Sequence, residues 1–155
     1  MDLTGPFPET KAGTRYILVV KDALTRYAEI IAIPNKEAKT VAQALVKDVY
    51  LRHGSIATLI SDRGTKFTNE IMRNVAILLK TKRISTTPAN PQSNGVAENH
   101  MRTMKDSLAS FCNARQDDWD LWIGVVGYGY VTTVCTAAGY TAVKLQHPRR
   151  NGYRA

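Results

Sequence analysis

The sequence has only two cysteines, no long apolar run and no basic start followed by an apolar stretch. Cys112 and Cys135 are widely separated and match no metal-ligand spacing, so we expect reduced core thiols, with a disulfide between them as the alternative. No apolar run approaches the roughly 20 residues that a membrane span requires. The first ten residues, MDLTGPFPET, do not have the pattern of a signal peptide. We therefore expect an intracellular protein with no membrane partner.

Acidic residues are also scarce relative to basic ones. The chain has 21 Lys and Arg against 13 Asp and Glu, a net charge of +8, and its pI of about 9.7 exceeds the value of about 9 that is typical of nucleic-acid-binding domains. The basic residues are dispersed, with a modest cluster at Arg149, Arg150 and Arg154. This distribution favours a folded surface that meets phosphates at several points, although the charge fits a merely basic soluble protein equally well.

The length of 155 residues, with 44% hydrophobic and 22% charged residues, suffices for one domain with a buried core. Runs of β-branched and aromatic residues predict strands, and apolar residues three or four apart predict helices. The predicted order is a strand end and loop (1–13), strands (14–21 and 26–33), a helix (36–53), a strand (57–61), a helix (69–80), a strand (82–86), a loop (87–95) and two helices (96–113 and 117–135).

The order of the predicted elements indicates how they pack against one another. A mixed sheet covered by helices is the natural arrangement for it. Because a strand–helix–strand crossover is right-handed, the end of strand 57–61 should lie beside the first strand. The helix 36–53 should end at Gly54 and bury one face, made of Val41, Leu45, Val49 and Leu51 or Arg52. We expect an α/β sandwich.

Three acidic residues stand at the ends of predicted elements. Asp62 follows the apolar strand 57–61, Asp2 opens DLTGPFP, and Glu98 lies in the first turns of a helix after a Pro/Gly loop. Converging at one rim of the sheet, they would suit two hard divalent cations, which prefer oxygen ligands and promote in-line phosphoryl displacement. The alternative is that each is an ordinary turn former or helix-dipole partner. Other acids remain available to such a site, namely Asp22, Glu29, Asp48 and Glu70.

Four segments together resemble one family: DLTGPFPET, VVKDALTRYAEIIAIP, LISDRGTKFTNE and PANPQSNGVAENHMRTMK. They are similar to the catalytic core of gypsy-type retrotransposon and retroviral integrases, which belong to the ribonuclease H-like superfamily. DDWDLW and TAAGYTAVKL are similar to later segments of that family. Asp2 and Asp62 are separated by 59 residues, and Asp62 and Glu98 by 35, which is the family's characteristic spacing. The resemblance covers residues 1–155 as one integrase catalytic core domain. It implies a ribonuclease H-like α/β fold with a mixed five-stranded sheet flanked by helices.

The resemblance also implies a chemistry. Asp2, Asp62 and Glu98 would be the catalytic residues and the metal ligands, holding Mg²⁺, with Mn²⁺ as a substitute. Two-metal phosphoryl transfer on DNA would process the 3′ ends of a retroelement and join them to target DNA, as in a metal-dependent polynucleotidyl transferase and endonuclease. One other hypothesis is a catalytically impaired or host-adopted integrase-derived module that binds DNA or dimerises. A third is a ribonuclease H-type nuclease, which normally has a fourth carboxylate and lacks the NPQSNG loop.

By the same resemblance, DNA contacts are expected in three places. Arg102 and Lys105, four and seven residues after Glu98, would contact phosphate near the metals, and a solvated basic stripe is the alternative. Thr65 and Lys66 would meet target DNA. The loop that precedes this helix would touch the element's DNA end, or would serve only as a polar helix entry, through Asn90, Gln92, Ser93 and Asn94.

The partners that the resemblance implies are element and target DNA and further copies of the chain, as a homodimer or a higher oligomer. The implied locations are the nucleus and a cytoplasmic particle. Trp119, Trp122 and the helix 36–53 are candidates for the dimer surface, although burial in the core explains them equally well.

The sequence departs from the family's pattern at several points. Met1 directly precedes Asp2, which predicts a truncated first strand, and neither a zinc-binding N-terminal domain nor a C-terminal DNA-binding domain is expected in this sequence. Gly124, Gly127 and Gly129 lie in a predicted helix, where each costs up to about 1 kcal/mol relative to Ala. Either close helix packing offsets this cost or the segment is loosened.

Overall fold

The structure is a computed structural model of the chain. It describes residues 1–61, 73–74, 76–77, 79–85, 102–135 and 139–146. Strands and helices follow one another in these residues largely in the predicted order, as expected of an α/β protein.

Three antiparallel strands form the first sheet, with β2 (Tyr16–Lys21) between β1 (Asp2–Thr4) and β3 (Ala28–Ile33). Asp2 lies opposite Val19. The runs of β-branched and aromatic residues had predicted β2 and β3 as a hairpin, and their antiparallel register confirms it. β1 is only three residues long, so it forms few ladder hydrogen bonds of its own.

One helical stretch follows the first sheet. It consists of α1 (Ala38–Ala44), a π-helical segment (Leu45–Tyr50) and α2 (Leu51–His53), and Gly54 ends it with a φ of 83°. The helix predicted over 36–53 is therefore confirmed as helical. The prediction that Leu51 or Arg52 continues its buried face was wrong, because Leu51 is 78% exposed and Arg52 is exposed as well. The wider π turns rotate the chain, so that Tyr50 is buried instead.

A second ladder pairs β4 (Thr58–Ser61) with β5 (Lys82–Ser85) in parallel. The backbone nitrogen of Met1 donates a hydrogen bond to the carbonyl of Ile60 across 2.6 Å. The predicted position of strand 57–61 beside the first strand is thereby confirmed. The two ladders contain five strands of mixed direction, and their union in one five-stranded sheet stays a prediction.

The later helices are α3 (the described helical residues 102–111), α4 (Trp119–Thr132) and α5 (Ala142–Gln146). The helix predicted over 117–135 ends earlier, because Val134–Cys135 form strand β6 of a small antiparallel hairpin with β7 (Tyr140–Thr141). The predicted loop 87–95 lies outside the described residues, and of the predicted helix 69–80 the described helical residues are 73, 74, 76 and 77.

Helices cover both faces of the first sheet. Successive side chains of a strand point to opposite faces, and β2 accordingly contributes to two separate core clusters. Leu18 and Val20 pack on the face covered by the first helical stretch, together with Val41, Leu45 and Val49. Ile17 packs on the other face, together with Met104, Leu108, Trp119 and Val126. In the ranges given above, no helix is both long and apolar enough to cross a membrane.

Candidate metal and DNA site

Asp2 is the described member of the predicted acidic triad, and it lies exposed on β1. Its neighbour Leu3 points into the core, with 8% of its surface exposed, so the alternation of the strand directs Asp2 outward. The Leu3 amide donates to Asp2 Oδ1 across 2.7 Å, which orients the carboxylate. No described residue hydrogen-bonds the second oxygen, Oδ2.

The end of β4 lies beside the start of β1. The hydrogen bond from Met1 to Ile60 joins the residue before Asp2 to the residue two positions before Asp62. Ser61, the last residue of β4, is buried. The end of β4 therefore lies beside the strand that carries Asp2, and Asp62 follows Ser61 directly in the sequence. Eight predicted site residues lie outside the described residues, namely Asp62, Thr65, Lys66, Asn90, Gln92, Ser93, Asn94 and Glu98.

The two basic site residues are on the outer side of α3. Arg102 and Lys105 are exposed, whereas Met104 and Leu108 of the same helix are buried. Lys105 Nζ stands 5.9 Å from the centre of the Phe7 ring, which belongs to the loop after β1. The basic face of α3 thus reaches the connection that leaves the Asp2 strand, and both the phosphate-contact and solvated-stripe hypotheses are compatible with this exposure.

Two of the four other candidate acids, Asp22 and Glu29, have protein partners of their own. Asp22 Oδ2 accepts from the Thr25 amide and hydroxyl, each across 2.7 Å, and the Thr25 amide is the largest cause of the lowered pKa of Asp22. Glu29 accepts from His53 across 2.6 Å and from Arg52 across 3.2 Å. These contacts assign the two acids to local structure. Asp48 lines a groove of about 460 Å³ at the outer edge of β3, and Glu70 lies outside the described residues.

The two tryptophans that were candidates for a dimer surface differ in their exposure. Trp119 is 1% exposed, and its Nε1 donates to the Pro8 carbonyl across 2.8 Å, so it belongs to the core. Trp122 is partly buried, and its ring stacks on that of Phe111 with 5.7 Å between the ring centres.

Cys112 is a free thiol. Burial and the negative charge of Asp118 raise its pKa. The Cys135 side chain lies outside the described residues.

A divalent metal at this edge of the fold would be held by oxygen donors. Within the described ranges, no three acidic, histidine or cysteine side chains converge as a metal site. The donors proposed from the sequence are three carboxylates, which suit Mg²⁺. Oδ2 of Asp2, which accepts from no described residue, is compatible with the role of one such donor.

The integrase core domain family matches residues 1–91. The chain belongs to this family. The resemblance stated from the motifs is thereby confirmed, and it extends beyond the matched region. The Retrovirus-related Pol polyprotein from transposon 412 of Drosophila melanogaster is 34% identical over 145 residues, which are 94% of this chain and 12% of that protein. Gypsy retrotransposon integrase-like protein 1 of Bos taurus is 25% identical over 133 residues, 86% of this chain and 26% of that protein.

Solved integrases share the fold. The catalytic core domain of BIV integrase superimposes with a TM-score of 0.69 at 24% identity, covering 86% of each chain. A chain of the simian T-cell lymphotropic virus intasome in complex with PP2A regulatory subunit B56 gamma superimposes with a TM-score of 0.77 at 18% identity, covering 97% of this chain and 54% of that one. The integrase core fold is therefore shown, and this integrase core spans a small part of the curated polyproteins that it matches.

Three contact residues of this integrase core were missed from the sequence. Thr10 and Thr14, before β2, hydrogen-bond to Asp120 at the start of α4. The sequence offered one indication, since GPFPET and DDWDLW both belong to segments that resemble the family. Two motifs more than 100 residues apart do not by themselves show that their residues are in contact.

Proposed function

We propose that this integrase core holds Mg²⁺ through Asp2, Asp62 and Glu98, with Mn²⁺ as a substitute, and performs phosphoryl transfer on DNA. The reactions are processing of the 3′ ends of a retroelement and their transfer to target DNA. The observation that carries the proposal is the hydrogen bond from Met1 to Ile60, since it aligns the strand of Asp2 with the strand that leads to Asp62. Membership of the integrase core family supports the same reaction class.

The chain's own contribution begins with orientation of the carboxylates. The bond from the Leu3 amide uses one oxygen of Asp2, which leaves Oδ2 for a ligand. When bound, a pair of divalent ions lowers the pKa of attacking water and offsets charge on the attacking and leaving oxygens. A nucleophilic side chain is not needed, so the protein's work is to hold the phosphate in line and to support the ligands.

DNA is the proposed macromolecular partner. Arg102 and Lys105 would bind phosphate from the exposed side of α3, since each adds a positive charge to a chain of net charge +8. Thr65 and Lys66 would meet target DNA. The element's DNA end would be contacted by Asn90, Gln92, Ser93 and Asn94.

Self-association is proposed as well, as a homodimer or a higher oligomer, and the structural neighbour that belongs to an intasome supports assembly into a larger complex. With Trp119 in the core, α4 offers other side chains: Leu121 is 75% exposed, Val125 50% and Tyr128 69%. Their spacing places them on one face of the helix. In analytical ultracentrifugation, Tyr128→Glu should shift the protein from dimer to monomer, and an unchanged dimer would remove this face from the proposal.

The proposed locations are the nucleus and a cytoplasmic particle.

The decisive experiment measures DNA cleavage or disintegration with Mn²⁺ in wild type, Asp62→Asn and Glu98→Gln. Each substitution should lower the rate at least about 10²- to 10³-fold, as loss of transition-state electrostatics does. Asp106→Asn makes the same chemical change as Asp62→Asn at an exposed position of α3 and should leave the rate unchanged. Activity that survives in both variants would overturn the active-site assignment. An inactive wild type that still binds DNA would favour a DNA-binding module.

A further inference from the structure

The loop between β1 and β2 is held by a residue 110 positions away in sequence. Thr10 is 5% exposed, and its Oγ1 lies 2.9 Å from Asp120 Oδ2 and 2.7 Å from Thr14 Oγ1. Thr14 Oγ1 also lies 3.3 Å from the same carboxylate oxygen. Because a carboxylate only accepts, Thr10 donates to Asp120, and Thr14 donates to either of them. We call Thr10, Thr14 and Asp120 the loop clamp.

A second contact acts on the same loop from the neighbouring position of α4. Trp119 donates from its indole nitrogen to the Pro8 carbonyl across 2.8 Å, and its ring centre lies 5.3 Å from that of Phe7. The Phe7 amide donates to the Arg15 carbonyl across 2.7 Å. The start of α4 therefore holds the loop at Pro8 and at Thr10, while the loop closes against the beginning of β2.

β1 depends on such contacts because it is short. Its three residues pair with Ile17, Leu18 and Val19, and a strand with so few pairing residues opens easily unless the adjoining segments are held. On one side the Met1 nitrogen bonds Ile60. On the other side the chain continues directly into the loop that the loop clamp holds.

We propose that Thr10 and Asp120 are positioning residues for Asp2. The loop clamp fixes the segment that continues β1, and so it holds the Asp2 carboxylate beside the end of β4. The inference rests on the proposed function, since its importance lies in presenting a metal ligand, and ligands must stay within about 0.5 Å of their working position. It assigns to Trp119 and Asp120, at the start of α4, the task of supporting the loop after β1.

The variants distinguish the contribution of the hydrogen bonds from that of side-chain shape. Thr10→Val keeps the volume and removes the hydroxyl, whereas Thr10→Ser keeps the hydroxyl. Asp120→Asn removes the charge of the acceptor. Asp117→Asn is the matched control, because it removes a charge just before the same helix, from a carboxylate that accepts from the Asn113 side chain and not from the loop. The double variant Thr10→Val/Asp120→Asn tests whether both act through one contact.

Two measurements are made on the folded protein. The first is amide hydrogen exchange without metal, for which Thr10→Val and Asp120→Asn should speed exchange in the β1–β2 ladder about 3- to 10-fold and leave the β2–β3 ladder unchanged. The second is Mn²⁺ titration, in which the same variants should raise the dissociation constant about 3- to 10-fold. Thr10→Ser and Asp117→Asn should behave like wild type, and the double variant should not exceed the larger single effect.

The outcomes separate this inference from the proposed function. Unchanged exchange in the β1–β2 ladder would overturn the inference whatever the metal data show. Faster exchange with unchanged Mn²⁺ affinity would reduce the loop clamp to a structural contact and overturn its positioning role. A wild type that binds no Mn²⁺ would overturn the proposed metal site, while the exchange result would still decide whether the loop clamp holds β1.

Discussion

Met1 and Ile60 are joined by a 2.6 Å hydrogen bond from the Met1 nitrogen to the Ile60 carbonyl. This bond places two strands from different ladders side by side, one carrying Asp2 and the other leading to Asp62.

Asp2→Asn is expected to weaken Mn²⁺ binding at least about 10-fold and to lower DNA cleavage about 10²- to 10³-fold, since a neutral amide replaces a charged ligand. The amide oxygen can still accept from the Leu3 amide, as Asp2 Oδ1 does, so circular dichroism and melting should remain near wild type. Calorimetric titration with Mn²⁺ checks the affinity. Binding as tight as in wild type would remove Asp2 from the site.

Lys105→Ala should reduce the slope of log K for DNA against log salt by about 0.9, because one fewer phosphate contact releases one fewer counterion. Lys144→Ala is the matched control, since Lys144 is also exposed and also lies over an aromatic ring, 5.0 Å from the centre of Tyr140. Fluorescence anisotropy at several salt concentrations gives both slopes. Equal slopes for the two variants would show that Lys105 is part of a solvated stripe.

Glu29→Gln should destabilise the fold by about 1–3 kcal/mol, because it weakens charge-assisted hydrogen bonds at a side chain that is 14% exposed. Arg52→Ala should cost less than about 1 kcal/mol, since the Arg52 side chain is 59% exposed. Urea unfolding of both variants supplies the comparison. A larger cost for Arg52→Ala than for Glu29→Gln would contradict the expectation that the exposed Arg52 contributes little.

Two glycine substitutions should act in opposite directions. Gly124→Ala lies in α4, where no atom of the described residues comes within 4 Å of the added carbon, so it should stabilise by about 0.4–1 kcal/mol. Gly5→Ala should destabilise by more than about 1 kcal/mol, because Gly5 has a φ of 129° and the added carbon would stand 2.8 Å from the Arg15 carbonyl. Thermal unfolding should show a higher Tm for the first and a lower one for the second. A lower Tm for Gly124→Ala would indicate that this glycine packs against another surface.

Asp22 should make stability depend on pH at the acid end. Hydrogen bonding, first from the Thr25 amide, lowers the pKa of Asp22 below its ordinary value of 3.8. A pKa that is depressed in the folded state stabilises the fold above the unfolded pKa, and this contribution is lost as pH falls through the folded one. The stability difference between wild type and Asp22→Asn should therefore shrink from pH 6 to pH 3. Asp106→Asn serves as the control, and a constant difference for Asp22→Asn would contradict the expectation.

Much of the fold was predictable because its signals are local. The strands around Ile17 and Ile30 follow from runs of β-branched residues, and Val41, Leu45 and Val49 were expected on one helix face and are buried there. The prediction failed at Leu51, where π-helical turns shift the face, and at residues 134–135, which pair as a strand. The first departure reflects a change of hydrogen-bond spacing within the helix, and the second depends on pairing with Tyr140–Thr141. An apolar pattern encodes neither.

The candidate site was likewise predictable only in part. The spacing of 35 residues between Asp62 and Glu98, inside dense motifs, identified the family from the sequence alone. The neighbourhood of Asp2 could not be predicted to that depth. Asp120 supports the loop from 110 residues away, and no local propensity links it to Thr10.

The sequence by itself determined the element types, the basic charge and the integrase resemblance, because periodicity, composition and motif spacing are properties of neighbouring residues. Only the tertiary structure decided that Met1 meets Ile60, that Trp119 is core rather than surface, and that Asp120 holds the loop after β1. These relations join distant residues, and they arise when burial of apolar surface brings whole elements together.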